Sequence, residues 1–95
     1  MNNKEAFIET LRAKIDQWDA EIDRLSVKAA MVEADSKEEY YKQIAELKTK
    51  RAEIEEKGNQ LQQAGEDAWG DLKAGLDLAF EAMRDALKSA SSRFR

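Results

Sequence analysis

Residues 8–32 read IETLRAKIDQWDAEIDRLSVKAAMV, and this stretch decides the fold class. Its apolar side chains recur at alternating steps of three and four residues. They are Ile8, Leu11, Ile15, Trp18, Ile22, Leu25, Ala29 and Val32. This spacing lines up side chains on one face of an α-helix, as the a and d positions of a coiled coil do. The stretch therefore predicts a long amphipathic helix, and we call its eight apolar positions the first seam.

Two more stripes of the same period follow. The second seam runs through Ser36, Tyr40, Ile44, Leu47, Arg51, Ile54, Gly58, Leu61 and Gly65. The third stripe consists of Trp69, Leu72, Leu76, Ala79, Phe80, Met83, Leu87, Ala90 and Phe94. The third stripe is wider than a coiled-coil seam, which is typical of a helix packed in a bundle or lying at an interface.

Two positions interrupt the helical pattern. Gly65 is followed by Glu66 and Asp67, and acidic residues are favoured in a first helical turn. A second break is predicted at Asp35–Ser36, because Ser36 and the acid three positions later fit a helix-capping box. The sequence thus predicts one helical domain over residues 1–95, with helices at about 4–34, 37–63 and 66–93.

These helices allow two all-α architectures. In the first, the chain folds into an antiparallel three-helix bundle, in which Ile54 meets Leu76 and the bulky Trp18 lies near the small Gly58. In the second, residues 4–63 form one long helix that residues 66–94 cover only in part. That long helical hairpin would leave the first seam bare, so a homodimeric bundle would result.

Trp18 and Trp69 are the most conspicuous side chains, and both are predicted to be core anchors or hot spots for a partner. Tyr40 fits the second seam, so Tyr41 is predicted to be half exposed. The candidate interface or core seam is Ile8, Leu11, Ile15, Trp18, Ile22, Leu25, Trp69 and Phe80.

Charged residues support the helices without forming a recognisable site. Three acid-before-base pairs four residues apart are predicted: Glu38–Lys42, Glu46–Lys50 and Glu53–Lys57. Arg51 occupies a seam position and can pair with Glu55. Asp16, Asp19 and Asp23, like Asp77, Glu81 and Asp85, are predicted to form solvated acidic faces.

Composition argues against several functional classes. The chain has no histidine and no cysteine, so the commonest general base, thiol nucleophiles and the usual zinc ligands are absent. No phosphate-binding glycine motif occurs, and the net charge of −4 does not favour nucleic acid. We therefore expect no enzyme, no cofactor, no metal and no nucleic-acid partner. With no signal-like or membrane-spanning stretch, we expect a cytoplasmic protein.

Two runs carry a resemblance. Residues 39–44 (EYYKQI) and 68–75 (AWGDLKAG), together with 91–94 (SSRF), resemble a family of small uncharacterised bacterial proteins with coiled-coil domains. The resemblance implies a bacterial, intracellular helical protein and brings no site residues. Gly58 departs from the apolar residue expected there in that family. Trp18 and Trp69 give a looser likeness in architecture to spectrin-type three-helix repeats.

Long amphipathic patterns without catalytic chemistry favour a non-enzymatic interaction or scaffold protein. Such a protein would act through its apolar coiled-coil seams, on a second copy or on a helical partner. The alternative is an amphipathic protein that binds membrane surfaces, or a stress-related, chaperone-like protein, because the stripe over residues 69–94 is wide.

Overall fold

Three α-helices joined by short turns make up the part of the chain that the structure, a computed structural model, describes, residues 3–93. They are α1 (Asn3–Met31), α2 (Ala34–Gln63) and α3 (Glu66–Arg93). Both turns reverse the chain, so α2 is antiparallel to its neighbours and α1 runs parallel to α3. The bundle measures 50 × 19 × 18 Å. The all-α bundle predicted from the seams is confirmed, whereas Phe94, the predicted end of the third stripe, lies outside the described residues.

The first turn lies at Val32–Glu33, so the predicted break at Asp35–Ser36 is displaced and α1 ends at Met31 instead of residue 34. Glu33 is the N-cap of α2, with φ −66° and ψ 153°, and its side chain makes no capping hydrogen bond. The predicted capping box is therefore wrong: Ser36 lies inside the first turn of α2, where its backbone N–H donates to the Glu33 carbonyl at 3.0 Å. This turn also rules out the single helix over 4–63.

The second turn lies at Ala64–Gly65, as predicted. Ala64 adopts an extended conformation, φ −76° and ψ 146°, and its N–H donates to the Leu61 carbonyl at 3.2 Å. The ammonium group of Lys4 donates a hydrogen bond of 2.7 Å to the Ala64 carbonyl. The start of α1 is thereby attached to the α2–α3 turn, and a cation offsets the negative end of the α2 dipole.

The apolar seams meet in one continuous core. Its buried side chains are Ile8, Leu11, Ile15, Trp18, Ile22, Leu25, Ala29, Ile44, Leu47, Ile54, Leu61, Leu76, Phe80, Met83, Leu87 and Ala90. Phe7, Tyr40, Trp69, Leu72, Ala79 and Ala86 pack against it and are partly buried. Each large side chain removed from water contributes about 1.5–3 kcal/mol, so this core is the main source of stability.

α2 approaches both neighbours closely along its length, whereas the backbones of α1 and α3 come near each other at few places. Gly58 explains part of this difference. It is buried in α2, and a Cβ at this position would overlap the Leu11 side chain. Leu11, and not Trp18 as the sequence predicts, therefore lies over Gly58. The reason is that α1 and α2 pair in a register slightly different from the predicted one.

We expect Gly58→Ala to destabilise the fold by about 1–2 kcal/mol. A methyl group there would force the buried Leu11 out of its position, and overpacking of this kind outweighs the gain of roughly 1 kcal/mol in helix propensity. Gly75→Ala is the matched control, because α3 has open space around the corresponding Cβ. That variant should be more stable than the wild type by about 0.5–1 kcal/mol.

Urea denaturation of both variants, followed by circular dichroism, measures the two changes. In a Leu11→Ala background the overlap is gone, so Gly58→Ala should become neutral or stabilising there. A Gly58→Ala protein as stable as the Gly75→Ala protein would contradict the close packing of Leu11 on Gly58.

Candidate interaction surfaces

The structure buries most of the residues that the sequence marked as an interface or core seam. Seven of the eight lie in the core of the chain's own bundle: Ile8, Leu11, Ile15, Trp18, Ile22, Leu25 and Phe80. Trp69 is partly buried and packs against the edge of the core, so only Trp18 of the two predicted core anchors is buried. Except at the edges of Trp18 and Phe80, which are 8% and 7% exposed, a partner could reach these seven side chains only if the helices separated.

Large aromatic side chains fill the space between α1 and α3. The ring of Phe7 lies 5.8 Å from Trp69 and 5.9 Å from Phe80, measured between centroids, and Trp18 lies 5.7 Å from Phe80. All three pairs are tilted, which is a favourable geometry at these distances. Rings of this size hold the two helix backbones apart, whereas Gly58 lets α1 and α2 approach.

Two lysines lie over these rings. Lys73 Nζ is 5.7 Å from the Phe7 centroid and 5.5 Å from the Trp69 centroid. Lys14 Nζ is 5.5 Å from the Phe80 centroid. Each cation is within the range of attraction to an aromatic face, so the α1–α3 side of the bundle combines aromatic surface with positive charge.

A groove of about 480 Å³ follows this side of the bundle, and we call it the α1–α3 groove. Trp18 and Phe80 contribute to its floor, and its charged lining residues are Lys14, Glu21, Arg84 and Lys88. Within residues 3–93, neither Arg84 nor Lys88 is within 4.0 Å of a carboxylate. The groove therefore has an excess of positive charge in a chain whose net charge is −4.

A second groove, also of about 480 Å³, lies between α1 and α2 above Gly58. Its cations, Arg12 and Arg51, are balanced by the carboxylates Asp16 and Glu55. This groove has no excess of either charge. The two grooves are thus alike in volume and different in electrostatic character.

Arg51 is the charged residue of the second seam, and it joins α2 to α1. Its guanidinium donates to both carboxylate oxygens of Asp19, at 2.8 and 3.0 Å, and pairs with Glu55 at 3.1 Å. The hydrogen bonds to Asp19 raise the pKa of Arg51. Partial burial lowers it by less, and the charges of Asp19 and Glu55 add to the increase. Because arginine is charged at any physiological pH, titration of Arg51 does not change the contribution of this pair within that range.

The sequence predicts the pairing of Arg51 with Glu55 but not its pairing with Asp19. The prediction that Asp19 belongs to a solvated acidic face with Asp16 and Asp23 is wrong for Asp19, because the register between α1 and α2 places it opposite Arg51. The predicted pairs Glu38–Lys42, Glu46–Lys50 and Glu53–Lys57 do not lie within 4.0 Å, because exposed long side chains gain little from being held together.

Four large apolar side chains remain exposed among residues 3–93: Val27, Met31, Tyr41 and Leu78. Three of them lie where α1 ends and α2 begins. Val27 is 57% exposed and Met31 is 79% exposed, one helical turn apart, and Tyr41 is 47% exposed in the second turn of α2. We call Val27, Met31 and Tyr41 the apolar end of the bundle.

The described residues contain neither a metal-binding cluster nor a membrane-spanning helix. Within 3–93, no group of three or more acidic side chains is placed so that it could hold a metal ion. In the same range, no helix combines the length and the apolar character needed to cross a bilayer.

Comparison of the chain with known protein families, with curated proteins and with solved structures gave no match. The resemblance to bacterial coiled-coil proteins remains a prediction.

Single-tryptophan variants should report the different burial of the two indoles. Trp69→Phe leaves Trp18, which is 8% exposed, and Trp18→Phe leaves Trp69 at the edge beside Lys73. Acrylamide should quench the fluorescence of Trp18 severalfold less than that of Trp69, and Trp18 should emit at shorter wavelength. Equal quenching in the two folded variants would contradict the placement of Trp69 at the edge.

A double-mutant cycle with Arg51→Met and Asp19→Asn should give a coupling free energy of about 0.5–1 kcal/mol, because the pair is bidentate and partly shielded from water. The control is the exposed pair Arg93–Glu39, at 3.5 Å, measured with Arg93→Met and Glu39→Gln. Its coupling should be close to zero. Similar couplings in urea denaturation for the two cycles would show that Arg51 adds nothing beyond an ordinary surface pair.

Proposed function

We propose that this chain is a non-enzymatic helical interaction protein that binds a second copy or a helical partner through the outside of its folded bundle. The observation that carries this proposal is the apolar end. Val27, Met31 and Tyr41 remain in water while the rest of the large apolar side chains in residues 3–93, apart from Leu78, are buried or partly buried.

The arrangement of the apolar end supports binding. Val27 and Met31 are four residues apart on α1, so they are neighbours on one face of the helix. Polar residues at these two positions would stabilise an isolated α-helix in water equally well. Adjacent exposed apolar side chains are instead characteristic of contact surfaces. Covering Met31 and Val27 would remove the largest exposed apolar side chains of α1 from water.

The burial of the first seam changes how the interaction is expected to occur. The sequence suggested that a partner helix would lie on Ile8–Leu25, but these side chains already fill the core. A partner that docks on the apolar end leaves the core intact. Binding can then take place without the free energy cost of opening the bundle.

The membrane-surface or chaperone-like alternative relied on the wide third stripe. Leu76, Phe80, Met83, Leu87 and Ala90 of that stripe face the core and are buried. A membrane or an unfolded chain would meet this stripe only after α3 separated from the bundle. We therefore favour the interaction protein, and we propose the cytoplasm as its compartment.

Site-specific photocrosslinking in the cells that carry the gene tests the proposal. A photoreactive phenylalanine at position 27 or 31 should yield covalent adducts with one recurring protein, or with a second copy of this chain. The matched control carries the same residue at Glu53 or Lys57, which are exposed on α2.

Adducts should be several times more abundant at positions 27 and 31 than at the controls. Equal yields at all four positions, or no adducts at positions 27 and 31, would contradict a docking role for the apolar end. Because the replaced side chains are exposed, each variant should keep the stability of the wild type within about 0.5 kcal/mol.

A further inference from the structure

We propose that the α1–α3 groove is a second docking site, and that it binds an acidic amphipathic helix of a partner protein. This inference rests on the proposed interaction function and adds a surface and a partner chemistry to it. It concerns a different side of the bundle from the apolar end.

The shape of the groove is the first argument. α1 and α3 run parallel with their backbones held apart by aromatic rings, and this leaves a concave groove of about 480 Å³ between residues 14–21 of α1 and 80–91 of α3. A helix laid between two neighbouring helices of a three-helix bundle completes a four-helix bundle. A concave channel between two helices fits a rod, whereas a flat bilayer surface cannot enter it.

Charge is the second argument. Lys14, Arg84 and Lys88 line the groove against a single acid, Glu21, and Arg84 and Lys88 have no carboxylate within 4.0 Å among residues 3–93. The α1–α2 groove has the same volume and balanced charges. A partner with carboxylates on its flanks would therefore be attracted to the α1–α3 groove and not to its counterpart.

The floor of the groove is the third argument. Trp18 and Phe80 contribute ring surface, and Lys14 lies over the Phe80 ring. An amphipathic helix can place its apolar residues towards these rings while its carboxylates reach Arg84 and Lys88. Glu21 is the one acid among the lining residues, so the carboxylates of the bound helix are expected on the α3 side of the groove, beside Arg84 and Lys88.

Two synthetic peptides of about three heptads serve as probes, with leucine along the seam and either glutamate or lysine on both flanks. Fluorescence anisotropy measures their binding to the full chain. We expect the glutamate peptide to bind at least about tenfold more tightly than the lysine peptide at low salt, with the difference shrinking as salt is raised. Equal affinities would overturn the proposal.

The variant Arg84→Glu/Lys88→Glu should weaken binding of the glutamate peptide by about tenfold or more. The matched control, Lys48→Glu/Lys50→Glu, makes the same change of net charge on exposed positions of α2, and it should weaken binding less than threefold. All four replaced side chains are exposed, and circular dichroism establishes that both variants fold. Equal weakening by the two variants would overturn the proposal, because it would show only attraction to net charge.

Two further measurements separate other occupants. Flotation with phosphatidylglycerol vesicles that is lost in Arg84→Glu/Lys88→Glu would assign the groove to membranes. A sedimentation dimer that the same variant dissociates would assign it to a second copy. Either result overturns the proposal for the α1–α3 groove. The crosslinking at positions 27 and 31 tests the proposed function independently of these measurements.

Discussion

The absence of a side chain at Gly58 is the constraint on which the arrangement of the helices depends. Leu11 fills the space that a Cβ would take, and this brings α1 against α2. On the other side of α1, Phe7, Trp18 and Phe80 need room, so α3 stays further away. A three-helix bundle with nearly equal helices therefore has unequal sides: two closely packed interfaces and one that is propped open by aromatic rings.

Arg51 adds specificity to a core that is otherwise defined only by apolar periodicity. Heptad seams can be matched in several registers, because one apolar pair resembles another. The bidentate contact between Arg51 and Asp19 belongs to the register that the bundle adopts, whereas a shift by about one helical turn would bring Asp16 or Asp23 towards Arg51 instead. The pair is thus a weak source of stability, and it favours the observed register only through its bidentate geometry.

Periodicity sufficed to predict the number of helices, the Gly65 turn and the buried faces, because each depends on residues close together in sequence. It failed where the outcome depends on pairing between helices. Ser36 has the local signature of a cap, yet the chain already turns at Glu33. Trp69 and Trp18 occupy similar places in their stripes, but only Trp18 is enclosed by a neighbouring helix. The excess charge of the α1–α3 groove arises from residues of two helices, so no single stretch of sequence displays it.

The parallel course of α1 and α3 has a consequence for the order of folding. Lys4 and Ala64 are 60 residues apart in sequence, and the contacts of Phe7 with Trp69 and Phe80 join parts of the chain that are still further apart. The hairpins α1–α2 and α2–α3 close over short turns, whereas these contacts close a loop that contains the whole of α2. We expect the aromatic side to be the last to consolidate and the first to loosen, so backbone amides at the outer edge of α3 should exchange faster than those at the α1–α2 interface.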